Sequence, residues 1–390
     1  MILPAIWQLV EIVSEICLAG AVLGGVYALT AAVAVTRFKR GVGAPPAAAE
    51  PVTILKPLHG PEPGLLRRLA ATCEQDYAAP IQVVCGVQDG ADPATDAVEA
   101  LAGCAEAVDL VVDARRRGTN PKISNLANML PKARHDLLLI ADSDVEVGPD
   151  YLRNITAELQ KPGVGAVSCL YYGVPASRTW GRLSALGINS HFLPNVVLAL
   201  QLGMAEPCFG TTIAIRRSLL HRIGGFEAFG NVLADDYAVG QAVRSAGYRV
   251  GIPSFALGHA CFERSLGALL AQDLRIARTI KTINPIGYYG LIITHPFPLA
   301  LLGAMAGVGD ALIVAAIALA SRLLLCHCIE RRFGLARQDY WLVPVRDVLS
   351  FAAYLRGLFG SAVNWRGAIF RVSRRGHFVP AAQPEQVVST

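Results

Sequence analysis

Hydrophobic positions divide the chain into a patterned middle and two apolar ends. In the middle, PVTILKPL, IQVVCGVQD, VDLVVD and DLLLIAD are short apolar runs that read as strands. Between them EPGLLRRLAATCEQ, PATDAVEALAGCAE and SNLANMLPKA carry the spacing of amphipathic helices. Strands that alternate with helices predict an α/β domain over 51–265, with a parallel sheet covered by helices on both faces. Ligands of such sheets bind beyond the carboxyl ends of the strands. No GxGxxG follows the first strand and no GxxxxGK[ST] occurs, so a dinucleotide fold or a P-loop has no support.

At the N-terminal end, residues 16–35 carry no charge and are long enough to cross a bilayer core as a helix. RFKR follows at 37–40, which by the positive-inside rule keeps that end and the next domain cytoplasmic. Glu11 and Glu15 stand where a signal peptide would be basic, so 1–40 is expected to be a retained anchor. GVGAPPAAAE, 41–50, then reads as a flexible linker.

The distal region, 287–390, repeats the theme. Apolar runs 287–309 and 311–328 are separated by Asp310, and the second returns to the basic ERRFGLAR. A third segment, 341–363, contains Arg346, Asp347 and Arg356, charges that are costly at bilayer depth. It is expected to be re-entrant or interfacial, with a true span as the alternative. A basic tail, WRGAIFRVSRRG, follows it.

Composition sharpens this division. The chain is 53% hydrophobic and 17% charged, more apolar than a single soluble core requires, although very hydrophobic core helices are the competing explanation. Its net charge of +5 comes without a basic, aromatic-rich patch, so no nucleic acid is expected. The nine cysteines lack zinc-type pairing and fit reduced thiols facing a cytosol.

Candidate chemistry gathers where the fourth strand ends. HDLLLIADSDVEVGPDYL sets Asp142 and Asp144 two positions apart with Glu146 behind them. Carboxylates this close repel, so a positive partner or open water is expected. The pair suits a hard divalent cation that bridges a diphosphate, and it equally suits a solvated turn before Gly148-Pro149. Asp89 ends the second strand. GTNPKISNLANML places Asn120 and Lys122 at a helix start, where backbone N–H groups favour phosphate. Asn120 could equally be a simple cap. Asp235 and Asp236 open another helix, as dipole partners or with one of them as a general base. LLAQDLRIARTIK, within the segment 266–286, is an amphipathic basic helix suited to a membrane surface, and it offers Gln272 and Arg275 to an anionic site.

Together these stretches resemble the ceramide glucosyltransferase family, glycosyltransferase family 21. ILKPLHG, VQDGADPA, GTNPKISNL, ADSD, LADDYA and QDLRIAR follow the family's order, and CLYYG, HFLPN and PCFGTTIAIRR resemble its bacterial hopanoid-associated branch. The resemblance implies a GT-A fold, a UDP-sugar donor and Mg²⁺ or Mn²⁺. It also implies a lipid acceptor, hopanoid or ceramide, and a multi-pass protein of the bacterial inner membrane. By the same resemblance Asp89, Lys122, Asn125 and Asp142 would contact the donor, and Asp144 with Asp142 the metal. Asp236 would be the catalytic base with Asp235 beside it, and Gln272 and Arg275 would act near the diphosphate. The sequence departs from the family where tryptophan is replaced by Ile276, which bears on the acceptor side. A processive polysaccharide synthase, the rival within the fold, would need more spans and that tryptophan. The sugar expected from the hopanoid branch is N-acetylglucosamine, carried to a polyol such as bacteriohopanetetrol. Glucose on ceramide is the alternative.

Overall fold

The structure, a computed structural model, describes residues 2–39, 48–102, 108–304 and 310–360, with 362–365, 368–372 and 378–380. Most of the expected linker lies outside the described residues, as do 305–309 in the first distal apolar run.

The middle of the chain folds largely as the pattern predicts. In chain order it holds β1 (Val52–Pro57), α2 (Leu65–Cys73), β2 (Ile81–Val87), α3 (Ala94–Ala102), β3 (Val108–Val112), α4 (Pro121–Met129) and β4 (Leu137–Ala141). These follow the N-terminal helix α1 (Ile2–Arg37). Next come β5 (Val145–Glu146), α5 (Tyr151–Leu159), β6 (Val164–Ser168), β7 (Leu170–Pro175), α6 (Thr179–Gly187) and α7 (Leu193–Gln201). The domain closes with β8 (Thr212–Arg216), α8 (Arg217–Arg222), α9 (Asp235–Ser245), β9 (Arg249–Gly251) and β10 (Ala256–Cys261).

The main sheet has the order β3-β2-β1-β4-β8-β6-β9. Its strands are apolar on both faces because both faces are covered. Ile54, Leu139 and Cys85 pack against Leu69, Val98 and Ile155 on one side. Leu55, Leu138 and Ile140 pack against Ile123, Leu126 and Val243 on the other. The expectation of a parallel sheet holds for β3-β2-β1-β4. It fails at β8, which runs antiparallel to both β4 and β6. The chain returns through α6 and α7 and enters β8 where β4 ends, pairing Thr212 with Ala141. That reversal lays Cys208–Thr211 against the residues that follow β4. A second sheet, β5-β10-β7, stands beside the same end and pairs His259 with Val145.

Beyond α10 (Leu266–Ile283) and α11 (Pro285–Gly290), the chain forms α12 (Pro296–Ala304), α13 (Ala311–Phe333) and α14 (Val343–Gly357). Among the described residues three helical segments are long and apolar enough to cross a membrane: Ile6–Arg37, Thr179–Gln201 and Ala311–Phe333. The second was not expected from sequence. It comprises α6, a π-helical turn at Ile188–Phe192 and α7. The run expected at 287–309 is not one straight helix: Pro285–Thr294 and Pro296–Ala304 are bent by 64°. Pro296 supplies no N–H at the break, which ends the helical ladder there. Gly24 of α1 packs at this bend, where a Cβ would lie 2.4 Å from the Ile293 carbonyl. Small residues allow such close approach between membrane helices. The basic ends of α1 and α13 lie together, with the Phe38 and Phe333 rings 5.6 Å apart.

The charges of 341–363 have a structural explanation. α14 has 15 residues, shorter than the roughly 20 a span requires. Trp341, Val345, Val348, Leu355 and Phe359 form an exposed apolar stripe along it. Arg346 and Asp347 point the other way, buried, and pair with Asp273 and Arg322. At the far end β11 (Ala362–Trp365), β12 (Ala368–Val372) and β13 (Phe378–Pro380) make an antiparallel sheet whose middle strand lies in the expected basic tail.

Candidate active site

β4 ends in the acidic pair, and the expected positive partners are present. Asn120 caps α4 by accepting from the Ile123 N–H at 3.1 Å, and Pro121 starts the first turn. This fixes Lys122, whose Nζ lies 2.6 Å from Asp142 Oδ1. Fully buried Lys56 of β1 donates to the Asp142 carbonyl at 2.9 Å. Asp144 faces His259 of β10, with Oδ1 3.4 Å from Nδ1. Burial pushes Asp142 up in pKa, with Lys122 opposing. Burial would raise Asp144 too, but His259 holds it below the usual carboxylate range.

The loop before β8 joins this group to α9. The Gly210 N–H donates to Asp236 Oδ2 at 2.8 Å, and Lys122 Nζ donates to the Gly210 carbonyl at 3.4 Å. A second N–H, from Tyr237, donates to Asp236 Oδ1 at 2.8 Å. A Cβ on Gly210 would lie 3.0 Å from Lys122 Nζ, 3.4 Å from Asp236 Oδ2 and 3.6 Å from Asp142 Oδ2. Residues from α4, β4, β8 and α9 therefore meet at one point. Asp235 accepts from Asn120 Nδ2 at 3.3 Å. Burial, with Asp236 and Asp142 nearby, pushes its carboxyl up to about 6 against the pull of Lys122.

The other expected residues fall around this centre. Asp89 is exposed beyond β2, with β1 between it and β4, and accepts from the Ala91 N–H at 3.0 Å. Asn125 donates to the Gly86 carbonyl at 2.7 Å and so ties α4 to the end of β2. Gln272 and Arg275 are joined on α10, Arg275 donating to Gln272 Oε1 at 3.0 Å. Burial lowers the Arg275 pKa, while Tyr171, Asp236, Asp235 and Asp142 act against that shift.

Several residues at the centre were not singled out by sequence. Tyr171, quoted only within CLYYG, stacks on Phe192 at 4.5 Å and stands 5.5 Å from the His259 ring. Phe209 meets Tyr171 edge-on at 5.8 Å and Phe192 at 5.3 Å. Phe192 leads into α7, which is bound to α1 through Tyr27 Oη to Asn195 Oδ1 at 2.8 Å and Gln201 Nε2 to the Ala34 carbonyl at 2.6 Å. An aromatic chain thus connects the acidic centre to the longest apolar helix. His259 had no sequence signal, because one histidine in an apolar strand reads as core.

Asp142 and Asp144 offer the hard oxygen donors that suit Mg²⁺ or Mn²⁺. Asp144 Oδ1 is buried and accepts no aligned hydrogen bond, with His259 as its ion-pair partner, so a cation here would compete with that imidazole. Among the described residues no three His, Cys, Asp or Glu side chains form a closed cage. A cation held here would complete its shell with water or ligand oxygens.

The profile of Glycosyl transferase family 21 matches residues 16–378. The chain is similar to Ceramide glucosyltransferase 1 of Caenorhabditis elegans, 24% identical over 59% of this chain and 49% of that protein. It is also similar to an N-acetylglucosaminyltransferase of Sinorhizobium fredii, 27% identical over 61% of this chain and 58% of the relative. The chain spans about half the length of these curated relatives. Among solved structures it resembles the mannosyltransferase PcManGT from Pyrobaculum calidifontis, in complex with GDP-Man and Mn²⁺. That match has a TM-score of 0.53 at 23% identity and covers 90% of this chain and 99% of the other, a likeness of fold, and the fold is GT-A. With its profile matched across nearly the whole sequence, the chain belongs to glycosyltransferase family 21.

Proposed function

We infer that this protein transfers a sugar from a UDP-sugar to a lipid hydroxyl with inversion at the anomeric carbon. The observation that carries this reading is the convergence of Asp142, Lys122 and Asp236 on Gly210, beside aromatic rings that lead to α7. Asp236 is the base: two backbone N–H groups orient its carboxylate, which takes the acceptor proton as the hydroxyl attacks. Attack from the face opposite the leaving UDP gives a β-linked product from an α-linked donor. Lys122 and Arg275 supply positive charge for the departing diphosphate, and Asp89 lies one strand away for the nucleoside. Mg²⁺ or Mn²⁺ held by Asp144 and Asp142 would neutralise diphosphate charge when bound. The PcManGT complex with Mn²⁺ supports that expectation by analogy of fold.

The surroundings support a lipid acceptor. Catalytic carboxylates next to apolar helices suit a hydroxyl that stays at a bilayer surface. Our reading is a multi-pass enzyme of the bacterial inner membrane with 51–265 in the cytoplasm, supported by the candidate spans and by the basic RFKR after α1. N-acetylglucosamine onto a hopanoid polyol such as bacteriohopanetetrol is the favoured pair. The hopanoid-like motifs and the Sinorhizobium relative support it. Glucose onto ceramide is the second reading, supported by the nematode relative. The test is purified protein in vesicles with each donor against each lipid, read by product mass. An N-acetylhexosaminyl hopanoid is expected. Glucosylceramide alone would replace the favoured pair, and no lipid product from either donor would overturn lipid glycosylation.

A further inference from the structure

The buried stripe of α10 contains an anomaly. Leu269 and Ala277 are buried, and Asp273 lies between them at the same helical spacing, where an apolar residue would pack. Instead its carboxylate meets Arg346 of α14 fork to fork, with Nη1 to Oδ2 at 2.8 Å and Nη2 to Oδ1 at 2.9 Å. Both side chains are largely buried, at 13% and 7% exposure. The guanidinium lies against Gly187 of α6, where a Cβ would come within 2.3 Å of it. The neighbouring Asp347 is fully buried and held by Arg322 through two contacts of 3.0 Å, with His191 Nε2 also at 3.0 Å. Arg346 is therefore presented from an immobile base.

A buried ion pair is a poor means of adding stability, because desolvation offsets its attraction and apolar replacements often do as well. Its geometry is directional, however, and an apolar contact would not be. A two-bond fork fixes the rotation of α10 about its axis, which a Leu at 273 would leave free to adjust. Gln272 and Arg275 flank Asp273 on that helix, and Arg275 is within electrostatic reach of Tyr171 and Asp236.

We propose that Arg346 is a positioning residue, which through Asp273 sets the rotation of α10 and so aims Gln272 and Arg275 at the donor diphosphate. This rests on α10 contacting the donor and is independent of which sugar or lipid is used. The full-length protein with the paired replacement Asp273→Leu and Arg346→Met tests it, using whichever donor and acceptor the wild type turns over. Thermal stability at or above wild type is expected, with kcat lower by ten- to a hundredfold and a raised donor KM. Arg346→Lys keeps the charge without the fork, and is expected to be folded with an intermediate kcat. Wild-type kcat and KM in the folded double variant would overturn the proposal. If the double variant does not fold, Arg346→Lys decides: a lower kcat at unchanged melting temperature supports positioning, and wild-type kinetics refute it. Failure of the substrate reading instead appears as a different wild-type product, with this comparison intact.

Discussion

At the residue scale the adjacent Asp235 and Asp236 are held differently by their surroundings. Asp236 holds two backbone N–H bonds and faces the gap around Gly210, whereas Asp235 is turned to Asn120. Asp236→Asn keeps the shape and one of the two N–H contacts but removes the proposed base. Its expected effect is a fall in kcat of about 10² to 10⁴, with UDP affinity near wild type by titration. Asp235 behaves differently because its carboxyl is raised to about 6 in the fold. A carboxyl raised above its unfolded value favours the protonated fold. Its contribution is full below about pH 4 and is lost as pH rises through 6. At pH 7.5 the ionised group therefore destabilises the unliganded protein, and Asp235→Asn is expected to raise Tm there by about 2–4 °C. Melts of the two proteins from pH 4 to pH 8 should converge at the acid end. A constant difference across that range would refute the assignment.

At the scale of elements, the parts of the fold that follow from local pattern were readable and those that depend on distant partners were not. Leu137–Ile140 is apolar at every position because helices cover both faces, so both the strand and the acidic pair beyond it could be placed. The direction of β8 could not, since Thr212–Arg216 has the same short apolar character whichever way it runs. Arg346 and Asp347 looked too costly for bilayer depth. Their partners, Asp273 and Arg322, stand far away in sequence, and only packing reveals them. The same holds for Gly24, one small residue among many in an apolar run, which meets the bend between α11 and α12. Gly24→Leu would drive a side chain into the Ile293 carbonyl and Pro296. Overpacking of this kind costs about 1–3 kcal/mol. A lower melting temperature in detergent is expected, with kcat per folded molecule retained; unchanged melting would show that the two helices part easily.

At the scale of the whole molecule, the proposed transfer to a lipid sets how each substrate must arrive. The proposed UDP-sugar donor is soluble and would carry its own charge to Lys122 and Arg275. On the proposed reading a lipid acceptor instead moves in two dimensions, and its hydroxyl would reach Asp236 from the bilayer surface. The concentration that governs its encounter is then its mole fraction in the bilayer, not its amount per volume. Diluting the acceptor tenfold with inert phospholipid at constant bulk acceptor should lower the initial rate in proportion whenever acceptor is below saturation. Raising total vesicles at fixed mole fraction, with all enzyme already inserted, should leave the rate per enzyme unchanged. A rate that followed bulk acceptor in both series would mean that the acceptor enters from water, and the apolar helices would then serve anchorage alone.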